Sequence, residues 1–389
     1  MSVLIFATLL PWRARFMAEA PTILIAATSA RALTASARRA GYAPLAIDFF
    51  ADEDTRRDAD RCERMSGRLA EGFDLEELMA AGERLADGRS ITGFVYGAGF
   101  EDRPAHIAAA AQRWRLFGNP AAVVSRVKDP VAFAECCRAN AIPHPEIALE
   151  PPTDASFWLA RRRGGSGGGH ISECENTAAD SRTYFQRCVA GQPISALAVS
   201  DGARCSILGF SEQWSVREGP QPFRFAGAAR LAVLEGSLAR ALTQAVERMS
   251  EAVPLIGLNS FDFLVDGGKF WLLEVNPRPG ATLDLFESES DTQSLFALHV
   301  AACSGRLSAP PRQDGCRAVE ILYADFDIVS TPALDWPDWA VDRQTAGTYV
   351  AKGEPFCSIV GEGATTVEAR RNLQDKAAFI RSSLRMKVA

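Results

Sequence analysis

The sequence predicts an α/β protein whose ordered chain begins with an open parallel sheet. Residues 22–27 form a short apolar run, typical of a strand buried on both faces. Residues 31–40 are rich in alanine and stop at Gly41, which predicts a helix. Residues 42–50 are a second apolar run, so strand, helix and strand follow one another within about 30 residues. This βαβ unit predicts a Rossmann-like first domain.

Composition and charge indicate the class of protein and the partners that it is not expected to bind. Apolar residues make up 47% and charged residues 23%, the balance of an ordinary soluble globular protein. The net charge of −6 gives no electrostatic reason to expect nucleic acid or an anionic membrane as a partner. The nine cysteines include no C-x-x-C pair, which favours reduced thiols in a cytoplasmic protein. The apolar run at residues 2–11 is too short to span a membrane, so we expect a loose leader over residues 1–20.

The remaining elements follow from the same patterns. The first domain continues with a helix at 75–87 and a strand at 91–96. Further strands are predicted at residues 157–160, 194–199, 205–210, 259–265 and 270–275. Further helices are predicted at residues 130–140, 228–249 and 367–384. The first turn between strand and helix lacks glycine, so the first domain does not carry the dinucleotide fingerprint.

A glycine-rich loop is the first candidate for chemistry. Residues 164–169 hold five glycines in six positions, directly after a strand and three arginines. Glycine lets backbone N–H groups close around phosphate oxygens, and the arginines add positive charge. A flexible surface hairpin is the alternative. The loop also matches G-x-S-x-G around Ser166, the nucleophile elbow of a serine hydrolase, but the glycines that follow start a helix poorly.

A polar hairpin is the second candidate. Residues 257–278 read as strand, Asp-Gly-Gly turn and strand. Glu274 and Asn276 share one face of the second strand, and Asp262 on the first strand lies across from Glu274 or one position diagonal. Two carboxylates and a carboxamide oxygen suit Mg²⁺, with water and phosphate in its other positions. The alternative is a solvated sheet face ending in an Asn-Pro turn.

Together these features resemble the ATP-grasp superfamily. The resemblance rests on a basic residue before a glycine-rich loop, then a carboxylate, then Glu274-Val-Asn-Pro-Arg278, and it covers roughly residues 22–305. It implies a Rossmann-like domain at 21–115 and an ATP-grasp domain at 116–305 with a lid at about 125–190. Residues 306–389 are then expected to be an extension packed on the ATP-grasp domain. The implied chemistry uses ATP and Mg²⁺, or Mn²⁺, to form an acyl phosphate that an amine attacks, releasing ADP and phosphate.

The resemblance also assigns roles to residues. The implied metal ligands are Asp262, Glu274 and Asn276, and Arg278 is the implied catalytic residue that neutralises the acyl phosphate or substrate carboxylate. The implied ATP-binding residues are Lys128, Arg161, Gly165, Ser166, Gly167, Gly168, Gln186, Arg187, Cys188 and Val189. Arg161 stands where the superfamily usually has a lysine, and Arg187 replaces the usual acid of the adenine hinge, so backbone groups near Cys188 and Val189 would read the adenine. Solvated charges are the alternatives for Lys128 and Arg278.

Within the superfamily, the sequence is similar to tyramine– or tyrosine–glutamate ligases of methanofuran biosynthesis. That similarity rests on the segments at 29–42, 276–284 and 351–357. It implies small-molecule substrates, a carboxylate such as glutamate and an aromatic amine, with Thr282 and Asp284 near the amine or, alternatively, Thr282 capping a helix. The sequence does not determine the oligomeric state, and a homodimer is one state that it allows. The competing functions are a carboxylase-linked or purine-pathway ATP-grasp enzyme and a non-catalytic nucleotide-binding regulator.

Overall fold

The computed structural model describes residues 20–69, 71–176, 180–216, 221–231, 233–287, 293–309 and 315–388. The predicted leader, apart from Ala20, lies outside the described residues. No helix in the described ranges is both long enough and apolar enough to cross a membrane.

The N-terminal part is the predicted open sheet. Its strands are β1 (Thr22–Ala26), β2 (Ala43–Asp48), β3 (Arg61–Arg64) and β4 (Ile91–Tyr96), parallel and in the order β3-β2-β1-β4. Its helices are α1 (Arg31–Arg39), α2 (Glu53–Asp58), α3 (Leu75–Ala86) and α4 (Pro104–Arg113). Leu24, Ile47 and Phe94 are fully buried because helices cover the sheet, as all-parallel sheets require. The Rossmann-like prediction for this part is confirmed.

A small second sheet follows two linking helices. The helices are α5 (Ala121–Lys128) and α6 (Pro130–Ala139), and the Asp129 carboxylate between them caps α6 by accepting two of its first N–H groups. The strands are β5 (Ile147–Ala148), β6 (Trp158–Arg162), β7 (Ile171–Glu173) and β8 (Thr183–Arg187), in the order β5-β8-β6-β7. The glycine-rich loop connects β6 to β7.

The third sheet has eight strands. They are β9 (Gln192–Asp201), β10 (Cys205–Ser215), β11 (Phe225–Arg230), β12 (Ile256–Asp266), β13 (Lys269–Asn276), β14 (Cys316–Tyr323), β15 (Ala340–Val341) and β16 (Pro355–Gly363). Their order is β13-β12-β9-β10-β11-β14-β16-β15, so strands from the C-terminal part continue the sheet beyond β11. The helices of this part are α7 (Gly236–Ala252), α8 (Leu283–Phe286), α9 (Leu295–Ala302) and α10 (Thr366–Val388).

One predicted helix begins too early. The sequence predicts a helix over 228–249, but residues 225–230 form β11, and α7 starts at Gly236. Ala228 and Ala229 are both buried, and Gly227 lies so close to the Trp214 ring that an added Cβ would stand 2.5 Å from it. Small residues favour a helix in isolation, but here they let a strand fit between β10 and β14, so the tertiary environment overrides propensity.

Buried polar contacts join the parallel sheet to the large sheet. The Asn119 side chain accepts a hydrogen bond from the N–H of Ile256 (2.7 Å) and donates to the carbonyl of Pro277 (2.9 Å). The Tyr96 hydroxyl donates to the Asn119 carbonyl (2.7 Å). These bonds bring the carboxyl end of β4 against the end of β13, where the candidate site lies.

Candidate functional site

The β12–β13 hairpin brings the three predicted metal ligands together. Asp262 pairs directly with Glu274, and Ser260 pairs with Asn276. The Asn276 amide donates to Asp262 Oδ2 (2.9 Å) and to Glu274 Oε1 (3.3 Å). The three side chains therefore form one contiguous polar group on the hairpin.

Two cationic side chains from other elements contact this group. Lys128, the last residue of α5, donates from Nζ to Asn276 Oδ1 (2.8 Å). Arg161, near the end of β6, donates from Nη2 to Glu274 Oε2 (2.7 Å) and from Nη1 to Gln186 Oε1 (2.6 Å). The predicted phosphate-binding and metal-binding residues therefore form one hydrogen-bonded network.

The electrostatics of the two carboxylates differ. Burial and the neighbouring Glu274 charge raise the pKa of Asp262 to about 6. Burial acts in the same direction on Glu274, but the positive charges of Lys128 and Arg161 outweigh it and hold the pKa of Glu274 below its ordinary value. Two carboxylates in contact resist full ionisation unless a cation joins them.

The donor set fits Mg²⁺. Within the described ranges, no group of three or more His, Cys, Asp or Glu side chains has the arrangement of a metal site. Asp262, Glu274 and Asn276 instead offer two carboxylates and one carboxamide oxygen, the hard ligands that Mg²⁺ takes together with water and phosphate oxygens. An arrangement with few protein ligands is typical of a metal that arrives with a nucleotide.

The glycine-rich loop lies over a cleft next to this network. The cleft is lined by Val127, Lys128, Pro130, Phe133, Ile147, Arg162, Gly164, Gly165, His170, Tyr184, Gln186, Leu273 and Glu274. The Gly167 carbonyl accepts the N–H of Phe225 (2.9 Å), so the loop is bonded to β11. Gly168 approaches the Phe223 carbonyl so closely that an added Cβ would stand 1.9 Å from the oxygen. The loop is therefore packed against the large sheet, unlike the free surface hairpin that was the alternative.

The loop geometry does not support the hydrolase alternative. A nucleophile elbow places its serine between a strand and a helix. Here Ser166 lies between two antiparallel strands, β6 and β7. The nearby His170 Nδ1 is 3.3 Å from the Ser166 carbonyl oxygen.

The predicted adenine hinge lies at the end of β8. Gln186 is buried, whereas Arg187 and Cys188 are exposed. The Cys188 N–H already donates to the Phe157 carbonyl (2.6 Å), so it is not available to adenine. Among the described residues, no main-chain acceptor pairs with the N–H of Val189, and its role in reading the adenine stays a prediction.

Arg278 has a buried partner that the sequence did not reveal. Its Nε donates to Glu101 Oε1 (2.7 Å), and both side chains are buried. Glu101 Oε2 accepts the N–H groups of Gly99 (2.8 Å) and Phe100 (3.1 Å). Burial alone would raise the pKa of Glu101, but Arg278 and Lys128 outweigh it and lower the value. The available signal was position: Glu101 follows β4, and ligand sites form at the carboxyl ends of parallel strands.

Asp284 is paired with an arginine, and Thr282 does not cap the helix that follows it. Arg31 binds both oxygens of Asp284, from Nη1 (2.7 Å) and Nη2 (2.5 Å), and its Nε donates to Asp342 (3.0 Å). Asp284 therefore joins α1 to α8 through an ion pair instead of presenting a free carboxylate to an amine. Thr282 stands at the N-cap position directly before α8, but its side chain makes no capping bond.

His170 is a second residue that the sequence analysis left without a role. Its ring packs so closely on Gly165 that a Cβ there would stand 2.2 Å from the ring. Burial, and then the Arg161 charge, lower its pKa to about 4, so the imidazole is neutral at pH 7. A neutral ring fills the space between the loop and the cleft.

Comparison with known proteins agrees with this geometry. Residues 127–282 match the ATP-grasp domain. The structure is similar to L-amino acid ligase from Bacillus licheniformis, with a TM-score of 0.69 and 15% identity over 92% of this chain and 98% of the ligase. It is also similar to the biotin carboxylase–β-γ-ATP complex from Campylobacter jejuni, with a TM-score of 0.70 and 12% identity over 90% of each chain.

A longer protein contains the same fold. Pyruvate carboxylase from Rhizobium etli aligns with a TM-score of 0.67 and 15% identity, over 92% of this chain but only 36% of the carboxylase. A search of curated protein sequences finds no match. The matched segment contains Lys128, Arg161, the glycine-rich loop and all three predicted metal ligands. The chain therefore contains an ATP-grasp domain and has the ATP-grasp fold.

Proposed function

We propose that this protein is an ATP-dependent carboxylate–amine ligase that releases ADP and phosphate. One observation carries the proposal: a single hydrogen-bonded network joins Lys128 and Arg161 to the predicted metal ligands, at the edge of a cleft beneath the glycine-rich loop. A regulator that only bound nucleotide would have no need for both carboxylates and the carboxamide.

The roles of the residues follow from their positions. Asp262, Glu274 and Asn276 would hold Mg²⁺, which neutralises phosphate charge when bound. Lys128 and Arg161 would orient the phosphates, because phosphoryl transfer needs mainly positioning and electrostatic stabilisation from the protein. In the first step a substrate carboxylate oxygen bonds to the γ-phosphorus, and the bond to the ADP oxygen breaks.

The second step would form the amide. The amine nitrogen bonds to the acyl carbon and loses a proton, and phosphate leaves with the electrons of the acyl–oxygen bond. Arg278 would bind the substrate carboxylate and then stabilise charge on the acyl phosphate, a task for which a guanidinium group is well shaped. Its partner Glu101 fixes one face of that guanidinium.

The substrate pair is the finer part of the proposal. The resemblance to tyramine– and tyrosine–glutamate ligases supports glutamate as the carboxylate and tyrosine or tyramine as the amine. Because Arg31 binds Asp284, we expect the ammonium group to be read elsewhere. The carboxylase alternative shares the first step, with bicarbonate as the carboxylate.

An ADP-release assay separates these functions. Purified protein with MgATP is given glutamate plus tyramine or tyrosine, with each omitted in turn, and in parallel bicarbonate plus biotin. We expect ADP and phosphate only when carboxylate and amine are both present, and a product mass equal to their sum minus water. Release that requires bicarbonate and biotin would establish a carboxylase instead, and release of AMP would exclude the acyl-phosphate route.

The metal assignment has its own test. Glu274→Gln should leave the fold intact and lower kcat by on the order of 10²-fold or more, because the change removes a metal-bound charge. The wild-type rate in Glu274→Gln at limiting Mg²⁺ would contradict the assignment.

A further inference from the structure

We infer that Arg161 is a positioning residue that connects the adenine hinge to the metal ligand Glu274. The inference rests on the proposed function, because it assigns a metal to the β12–β13 hairpin. It goes beyond a phosphate contact: the guanidinium holds Glu274 in place, and Gln186 at the hinge in turn holds the guanidinium.

The first argument is the geometry of the two hydrogen bonds that the Arg161 guanidinium donates. Arg161 uses two different nitrogens, Nη1 for Gln186 (2.6 Å) and Nη2 for Glu274 (2.7 Å). Both bonds lie within normal hydrogen-bond range, and the Arg161 side chain is only 4% exposed. The rigid planar guanidinium fixes the two acceptors relative to each other, whereas a lysine has one mobile ammonium group.

The second argument is the placement of the two acceptors. In the small sheet Arg161 pairs with Tyr184, and Gln186 lies two residues further along the same strand, on the same face. Glu274 belongs to the large sheet, which is hydrogen-bonded separately. Arg161 therefore links the two sheets through two side chains that line the cleft.

The third argument is an unused donor. Among the described residues, the buried Arg161 Nε has no hydrogen-bond partner. A buried donor without a partner costs about 1–3 kcal/mol. A phosphate oxygen that reached Nε would satisfy this donor while both other nitrogens keep their bonds, so its binding would reinforce the link instead of breaking it.

Charge and positioning predict opposite results for substitution. If Arg161 acted only by its charge, then a lysine would preserve metal affinity, and loss of the charge would strengthen it by removing repulsion. If Arg161 acts by positioning, then Arg161→Lys weakens metal binding even though the charge is kept. Gln186 does not contact the metal ligands through any bond described above, so an effect of Gln186 on metal affinity must pass through Arg161.

The test measures Mn²⁺ binding by electron paramagnetic resonance of the free ion, first to the nucleotide-free protein and then in the presence of ADP. We expect Arg161→Lys and Gln186→Met each to raise the Kd for Mn²⁺ on the order of 10-fold, the range seen when a partner of a metal ligand is lost. The double variant should be no weaker than the worse single variant. Gln186→Glu keeps an acceptor oxygen for Nη1, so it should bind Mn²⁺ more tightly than Gln186→Met.

A matched control uses Arg182→Lys, the same chemical change at an exposed arginine of the same small sheet region. Circular dichroism and the thermal midpoint of each variant show whether it is folded, and only folded variants are compared. Unchanged Mn²⁺ affinity in Arg161→Lys or in Gln186→Met would overturn the inference and leave the proposed function standing. Failure of the wild-type protein to bind Mn²⁺, with or without ADP, would instead contradict the metal site of the proposed function.

Discussion

The buried pair between Glu101 and Arg278 allows a quantitative prediction. Glu101→Gln keeps the shape of the side chain but removes its charge and one of its two acceptor oxygens. In the native protein one oxygen accepts from the Arg278 guanidinium, and the other accepts from the N–H groups of Gly99 and Phe100. Whichever way the new amide is oriented, its NH₂ group replaces an oxygen that accepted hydrogen bonds, and it then faces either the Arg278 guanidinium or the backbone N–H groups. Two donors cannot form a hydrogen bond with each other.

The magnitude follows from this geometry. Removing one partner of a buried ion pair typically costs 3–5 kcal/mol, because the other charge stays buried without compensation. The one carbonyl oxygen of Gln can still accept from Arg278 or from the backbone N–H groups. We therefore expect a loss of about 3 kcal/mol in stability, the lower end of that range. At a urea dependence of about 3 kcal/mol per molar, this loss lowers the unfolding midpoint by roughly 1 M.

The assay is urea unfolding followed by tryptophan fluorescence, with Glu83→Gln as the control. Glu83 also pairs with an arginine, Arg113, but both side chains are about half exposed, so we expect a much smaller loss of stability. Equal losses in the two variants would refute the reasoning from burial.

The stability that the Glu101–Arg278 pair contributes should also depend on pH, in a defined direction. The folded protein lowers the pKa of Glu101, so the pair contributes stability above the ordinary carboxyl pKa and loses it as pH falls through the folded value. The gap between wild type and Glu101→Gln should therefore shrink below about pH 4. A gap that widens in acid would contradict the ion pair.

Two further predictions concern the lid and a buried histidine. Gly168→Ala should displace the glycine-rich loop and weaken ADP binding several-fold in equilibrium dialysis. Gly167 also has a positive φ but has open space around it, so Gly167→Ala should have the smaller effect. Equal effects of the two substitutions would contradict the argument from the Phe223 contact. Burial lowers the pKa of His299 to about 4, so the unfolded chain binds more protons than the folded one between about pH 6.5 and 4, and stability should fall by roughly 3 kcal/mol across that window. Urea midpoints measured against pH should show this slope in the wild type and lose it in His299→Asn, and a slope that survives the substitution would assign it to other groups.

Local patterns in the sequence were enough to predict elements buried on both faces. The strand at 91–96 is found with the predicted bounds, and the hairpin turn correctly placed Asp262 opposite Glu274. In both cases the chain neighbours themselves determine the structure, through a short, mostly apolar run or a tight turn. The ATP-grasp fold was predictable because its residue types recur in a fixed order along the chain.

Contacts between distant segments could not be predicted in this way. Glu101 and Arg278 are 177 residues apart, and Arg31 and Asp284 are 253 residues apart. Nothing in the neighbourhood of either arginine indicates its partner, because the pairing depends on how the parallel sheet packs on the large one. The sequence therefore led us to expect Asp284 near an amine, whereas in the structure Arg31 already neutralises its charge.

The order of strands in the large sheet has a consequence for biosynthesis. The parallel sheet is complete once Tyr96 has been made, so it has all its strands early in translation. The edge of β11 is covered only by β14, which ends at Tyr323, and the edge of β14 is covered in turn by β16, which ends at Gly363. Until then the nascent chain exposes an unpaired strand edge, the kind of surface that promotes aggregation. The glycine-rich loop is bonded to that same β11, so the strand that supports the loop is itself covered only after residue 323 has been made.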